Sequence, residues 1–335
     1  MRVTVIGAGV AGLAVAAELM ARQIAVEVIE RGPAPGPQSC SWYAGGMLAP
    51  WCEGETAEEP VVRLGQQAAD WWQAQGVEVT RRGTLVVAPS RDGGELARFA
   101  RRTEQHQWLE RDALGALEPE LAAQFAKALY FPREAHIDPR QALAVLAHKL
   151  EAGGVTIRYG SEQAPQAQDS TVIDARGFGA RDELPDLRGV KGEMLVLKTR
   201  DIAISRPVRL LHPRVPAYLV PRGNGVYMLG ATQIESEDRR RITARGMVDL
   251  LNAAYAVHPA FAEAEIIETG ADVRPAFPDN LPRLRWRGGT LHVNGLFRHG
   301  FLLAPACARL AAEAIANPDN IPEMMDEDRG EWRTA

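Results

Sequence analysis

The sequence predicts an α/β fold in which a Rossmann-type nucleotide-binding domain is interwoven with a second domain built on an antiparallel β-sheet. Three observations predict it. A strand, glycine-rich turn, helix, strand unit opens the chain; the α/β pattern returns after residue 138 and again at the C-terminus; between these lie strands punctuated by Pro and Gly. The nucleotide-binding domain is therefore expected to be discontinuous, covering 1-75, 138-188 and 268-335, with the second domain at 76-137 and 189-267.

The elements follow in chain order. Arg2 to Ile6 reads as a strand, Gly7-Ala8-Gly9-Val10-Ala11-Gly12 as a turn, the next residues to about Ala21 as a helix, and Ala25 to Glu30 as a second strand. The Gly/Pro/Ser-rich stretch Gly32 to Gly46 is not regular structure throughout and runs over a ligand or the surface. Arg81 to Pro89 reads as a strand and Asp92 to Gln105 as a charged surface helix. Asp138-Pro139 offers a cap and a first-turn proline, Leu143, Leu146, Ala147 and Leu150 form one apolar face, and Gly153-Gly154 stops the helix. The β-rich runs Val155 to Tyr159 and Thr171 to Ala175 follow that helix. From Gly192 to Gln233 the strands Met194 to Leu197, Ala217 to Val220 and Val226 to Leu229 suggest the antiparallel sheet. Thr290 to Asn294, the turn Gly295 to Gly300 and the Ala-rich segment to Ile315 read again as strand, turn, helix.

With 335 residues, 46% of them hydrophobic, the chain can bury a full core. Its 38 basic and 43 acidic residues are interspersed and leave a formal charge of −5, so neither a nucleic-acid nor a membrane footprint is expected. No apolar stretch has the length of a membrane span, and the opening is unlike a secretory signal, which makes a cytoplasmic enzyme of small-molecule chemistry the expectation. Cys40, Cys52 and Cys307 are odd in number and lack metal-ligand spacing; reduced thiols are expected and no metal site.

The G-x-G-x-x-G of Gly7, Gly9 and Gly12 sits where a dinucleotide fingerprint must, after a strand, at the opening of a helix, with Glu30 ending the second strand. Gly7 permits the tight turn, Gly9 lets backbone approach a pyrophosphate, and Gly12 allows close helix–strand packing, while the helix beginning near Val10 turns its N–H groups and dipole toward the phosphates. Glu30 would accept from a ribose diol and repel a 2′-phosphate, favouring FAD or NAD over NADP.

Further segments carry a resemblance. They are the fingerprint ending in Glu30-Arg31, Ser41 to Pro50, Val190 to Glu193, Tyr218 to Arg222 with Gly230-Ala231-Thr232, Val273-Arg274-Pro275, and Phe297 to Pro305. In these the chain resembles the D-amino-acid oxidase family, and within it the glycine oxidases of thiamine biosynthesis. The resemblance implies a D-amino-acid oxidase/glutathione reductase-like fold, FAD as cofactor, and a flavin lying between an FAD-binding and a substrate-binding domain. It implies that Gly45, Gly46 and Met47 pass beside the reactive ring, and that Leu296, Phe297, Arg298, His299, Gly300, Phe301 and Leu302 end at the flavin pyrimidine. There the last helix would stabilise the negative charge of reduction. Cofactor contacts are also expected from Val10, Ala11, Cys40, Ser41 and Gly177. Among catalytic candidates, Arg274 matches the substrate carboxylate clamp, Arg298 a second substrate contact or pocket closure, Tyr218 a hydroxyl donor to that carboxylate, and Met47 the ring edge. His299 receives no catalytic role.

The implied reaction is oxidation of the Cα–N bond of a small amino acid, with O2 as acceptor and a homo-oligomer as the assembly. Glycine leads, with sarcosine and D-amino acids as rivals. An NAD-linked dehydrogenase, a non-catalytic FAD-binding subunit and an enzyme passing electrons to a carrier are the competing readings. Two stretches depart from the family pattern. Ala276 to Pro282 lacks the usual glycines, and the short Ser161 to Asp169 region leaves the adenine-side contacts open.

Overall fold

The computed structural model describes residues 2–162, 171–212, 216–317 and 321–325. Most of the short stretch from Ser161 to Asp169 lies outside them, and with it the question of adenine-side contacts there. Arg2–Ile6 stands inside a six-stranded sheet of spatial order Arg283–Arg287, Thr290–Asn294, Thr171–Asp174, Arg2–Ile6, Ala25–Glu30, Thr156–Tyr159. Every pairing is parallel except the outer hairpin of Arg283–Arg287 with Thr290–Asn294. A parallel strand is covered on both faces, and accordingly Val3, Thr4 and Val5 are all buried; Thr4 donates its hydroxyl to Glu27 Oε1 at 3.1 Å.

The helices that cover this sheet follow from local chemistry. Val10–Ala21 starts directly from the glycine turn, and Pro139–Ala152 is capped by Asp138, whose side chain accepts from the N–H groups of Arg140 and Gln141 at 2.8 and 3.2 Å. The last helix, Gly300–Ala316, packs closely on Val10–Ala21 because Ala304, Ala308 and Ala311 bring the backbones together. Pro305 lies inside it and cannot donate to the carbonyl of Phe301. The indole Nε1 of Trp72 donates there at 2.8 Å, so the carbonyl is satisfied from another helix, Ala68–Ala74.

The second sheet has nine strands. Along its main path run Ile234–Glu235, Arg188–Lys198, Val226–Gly230, Ala217–Gly223, Val208–Leu210, Thr84–Val87, Lys127–Phe131 and Gln107–Glu110, antiparallel except where Val208–Leu210 meets Thr84–Val87. The ninth strand, Glu265–Ala276, pairs antiparallel with Arg188–Lys198, setting Arg274 opposite Val190 and Asp272 opposite Gly192. The domain boundary expected at 268 thus falls inside one strand, whose partner lies almost eighty positions earlier in the chain and is invisible to local pattern. The helix Ala244–Val257, capped by Thr243, covers this sheet, with Leu250, Ala253, Ala254 and Val257 in its core. Among the described residues no helix is long and apolar enough to cross a membrane.

The glycine turn is held by sterics. Gly7 has φ +102°, and a Cβ on Gly12 would lie 1.8 Å from the carbonyl oxygen of Gly7. Gly12→Ala is therefore expected to destabilise the protein by about 1–3 kcal/mol, seen as a lowered thermal midpoint. Gly94→Ala, where a Cβ meets nothing within 4 Å, should leave the midpoint unchanged or raise it. Equal responses would remove the steric explanation.

Candidate active site

A cleft of about 1080 Å³ runs between the two sheets, from the glycine turn to the antiparallel strands. Of the site residues expected from the sequence, all but Gly12 line it; Gly12 lies beneath the turn. At one end, the helix Val10–Ala21 begins at Gly9 without a side-chain cap, and Gly7, Gly9, Val10 and Ala11 face the cleft. The N–H of Val10 donates to Ser41 Oγ at 3.1 Å, which brings that hydroxyl to the helix N-terminus. Glu30 accepts from the N–H of Ala8 at 2.7 Å and of Gly32 at 2.8 Å, so it ties the turn together as well as facing the cleft beside Arg31. Each of its oxygens keeps a lone pair for a further donor.

Cys40, Gly45, Gly46, Met47 and Gly177 form the middle of the wall. Burial, with the charge of Asp272, pushes the Cys40 thiol up to about 12 and keeps it protonated. Met47 is fixed by ladder pairing with His136. At Gly45 and Gly46 protein fills the space of the missing side chains. A Cβ on Gly45 would lie 2.5 Å from the Tyr218 ring, and Gly46, at φ +73°, would set one 2.3 Å from the carbonyl oxygen of Ile137. Arg222 clamps both segments, donating to the carbonyls of Gly45 at 2.8 Å and Ile137 at 3.0 Å. On the opposite wall, Leu296 to Leu302 leads into the last helix. Phe297 stands at φ +49°, rare for such a side chain, and its N–H donates to the carbonyl of Pro275 at 2.9 Å, tying this segment to the strand that carries Arg274.

Arg274 and Tyr218 meet at the far end. The Arg274 guanidinium is shielded from bulk water, which pulls its pKa below the usual range; nearby Tyr218 and Cys40 oppose that shift and Arg298 adds to it. Its Nη1 donates to the carbonyl of Thr232 at 3.1 Å, and Gly192 makes room for it, since a Cβ there would lie 2.2 Å from Nη2. Among the described residues it has no carboxylate partner. Tyr218 alternates with Leu219, which points into the core, and burial raises the phenol pKa against the opposing charge of Arg274.

Arg298 also lines the cleft, yet its Nη2 is engaged by Glu53 Oε2 at 2.6 Å and by Thr56 Oγ1 at 2.7 Å. His299 Nε2 reaches the same Glu53 oxygen at 2.9 Å, and Arg209 Nη1 lies 3.5 Å from the other. Burial pushes the Glu53 carboxyl up, but Arg298, His299 and Arg209 overcome it and hold it well below the usual carboxylate range. Beneath this group, Glu134 accepts from the N–H of Cys52 at 2.8 Å and is raised to about 7 by burial.

The family model described as FAD dependent oxidoreductase, DAO, matches residues 2–314. The chain belongs to the DAO family. A Rhizobium etli protein provisionally named thiamine biosynthesis oxidoreductase ThiO is 55% identical over 96% of this chain and 99% of its own. Glycine oxidase of Geobacillus kaustophilus is 27% identical over 93% and 92% of the two chains, and its crystal structure superposes with a TM-score of 0.79 over 94% and 95%. Iminodiacetate oxidase of Chelativorans sp. BNC1 shares the fold with a TM-score of 0.79, 24% identity and coverage of 96% and 97%. The DAO-family cofactor, FAD, fits what the chain offers: a glycine-rich turn at a helix start without a side-chain cap from its N-cap residue, an acid at the end of the second strand, and a cleft long enough to join that turn to Arg274.

Sequence reasoning missed Glu53 and Arg209, and it gave Arg222 and Gly192, which lie in the resembling segments, no role of their own. A charged residue directly after the apolar Pro50-Trp51-Cys52 is the one local signal for Glu53. The raised Glu134 has a measurable consequence. A carboxyl at about 7 when folded and near 4.5 when unfolded lends its stability below the unfolded value and loses it as pH rises through 7. Urea unfolding at about pH 5 and pH 8 should therefore show a larger loss of stability at the higher pH in the natural protein than in Glu134→Gln. Equal losses would show that this carboxyl does not titrate in that window.

Proposed function

We propose that this DAO-family chain is an amino-acid oxidase acting on glycine, within thiamine biosynthesis: glycine, water and O2 give glyoxylate, ammonia and hydrogen peroxide. The observation that carries the reading is Arg274, a guanidinium facing the cleft with no carboxylate partner among the described residues. A planar fork of this kind suits both oxygens of a substrate carboxylate. The identity with the Rhizobium etli protein and the glycine oxidase relatives support both the reaction class and the pathway.

In this reading Gly7, Gly9, Val10, Ala11 and Ser41 take the pyrophosphate and Glu30 the ribose diol. Bound FAD supplies the acceptor for a hydride from the substrate Cα and the route by which two electrons reach O2. The chain's residues orient and enclose. Arg274 fixes the carboxylate and so the position of Cα, and Tyr218, kept protonated by its raised pKa, donates its hydroxyl to the same group. Positioning of this kind contributes roughly 7–11 kcal/mol in favourable cases. The amino group is bound neutral, so its lone pair assists C–H cleavage and no histidine or carboxylate base on the protein is required. Met47 and the segment Leu296 to Leu302 wall the reacting centre, and the start of Gly300–Ala316 lends positive potential where negative charge develops.

Anaerobic bleaching of the flavin by a panel of glycine, sarcosine and small D-amino acids tests this directly. Glycine should bleach it fastest, and no bleaching by any of them would refute the reading. Arg274→Ala should raise KM for glycine by about a hundredfold or more while the flavin spectrum of the purified protein stays unchanged. A KM equal to that of the natural protein would remove Arg274 from its role.

A further inference from the structure

The far end of the cleft holds guanidiniums in two different electrostatic states. Arg274 has no counter-charge among the described residues, whereas Arg298 is matched by Glu53 at 2.6 Å. The Arg209 charge is shared, with Nη1 at 3.5 Å from Glu53 and Nη2 at 3.6 Å from Glu55. A ligand with one carboxylate therefore completes the corner. A ligand with two would bring its second acid to a cation already neutralised and to a fixed negative charge, in a shielded cleft where such repulsion is weakly screened. Glu53 is not walled off from this event, for it lines the cleft and its charge reaches the Tyr218 phenol, which Arg274 and Arg298 also influence.

We infer that Glu53 is a specificity-determining positioning residue, which neutralises Arg298 and thereby restricts the site to amino acids with a single carboxylate. The inference rests on the carboxylate-binding reading of Arg274 and deepens it. His299 and Thr56 serve the same arrangement, His299 by reaching the Glu53 oxygen that Arg298 engages and Thr56 by accepting from the same Arg298 nitrogen. Arg209 holds Glu53 from the other side and also donates to the carbonyl of Cys52 at 3.3 Å, so the carboxylate has little freedom to swing away and release Arg298.

The test is Glu53→Gln, which keeps the volume and an acceptor for Arg298 but removes the charge. Flavin reduction and steady-state turnover are measured with glycine, and with iminodiacetate and D-aspartate as dicarboxylic probes. In the variant, kcat/KM for the dicarboxylates relative to glycine should rise about tenfold or more, chiefly through KM. A purely structural role would lower kcat/KM for all three in proportion, and an unchanged or lowered ratio overturns the inference. Should Glu53→Gln be recovered without flavin, Glu53→Asp decides. Its carboxylate is drawn back from Arg298 by one methylene, so a smaller rise in the ratio supports the inference and none overturns it. A natural protein that prefers iminodiacetate to glycine also overturns it, while one that no amino acid reduces overturns the underlying reading of Arg274 instead.

Discussion

Arg274 is a partly buried guanidinium with no partner carboxylate among the described residues, and its burial disfavours the charge it carries. What offsets it comes from the nine-stranded sheet. The carbonyl of Thr232 takes one donor, the absent side chain of Gly192 opens the space, and the long pairing of Glu265–Ala276 with Arg188–Lys198 fixes the backbone beneath. An anion arriving at the remaining donors recovers the missing solvation. In the proposed reading, the binding energy of a small substrate is concentrated at this one point, which suits a ligand with few atoms to grip.

The neighbouring features serve that point. Pro275, next in the chain, accepts from the N–H of Phe297, so the loop bearing Arg298 is registered to the strand bearing Arg274. Arg222 fixes the Gly45 to Met47 segment against Tyr218, and Glu53 fixes Arg298. Groups at this end of the cleft, drawn from distant stretches of the chain, are therefore placed by backbone carbonyls and charge pairs and not by loop chemistry. The starts of Val10–Ala21 and Gly300–Ala316 both line the cleft, and the two helices pack on each other.

How much of this was legible beforehand divides along range. The turn of Gly7, Gly9 and Gly12 with Glu30 was readable because its meaning is set within about one βαβ unit. The helix from Pro139 was readable from its own cap and apolar face. The strand Glu265–Ala276 was split by the expected boundary, because its neighbour is chosen by pairing across the molecule. Gly45 was expected beside the flavin ring, and nothing local announces that a tyrosine far along the chain occupies its side. Glu53 was missed since its burial comes from Arg298, His299 and Arg209, all more than one hundred and fifty positions away. Pro305 inside a helix is likewise intelligible only once Trp72 is seen at the orphaned carbonyl.

The first strand of the chain is flanked in space by Ala25–Glu30 and Thr171–Asp174, and the latter by Thr290–Asn294. A ribosome delivers these pieces in sequence order, so a nascent chain has its glycine turn early and lacks the opposing wall until the residues near 300 have emerged. Domains assemble as units once their parts are present. The cleft suited to a nucleotide is accordingly complete only when residues near 300 have joined the glycine turn, a separation along the chain of almost the whole nucleotide-binding domain.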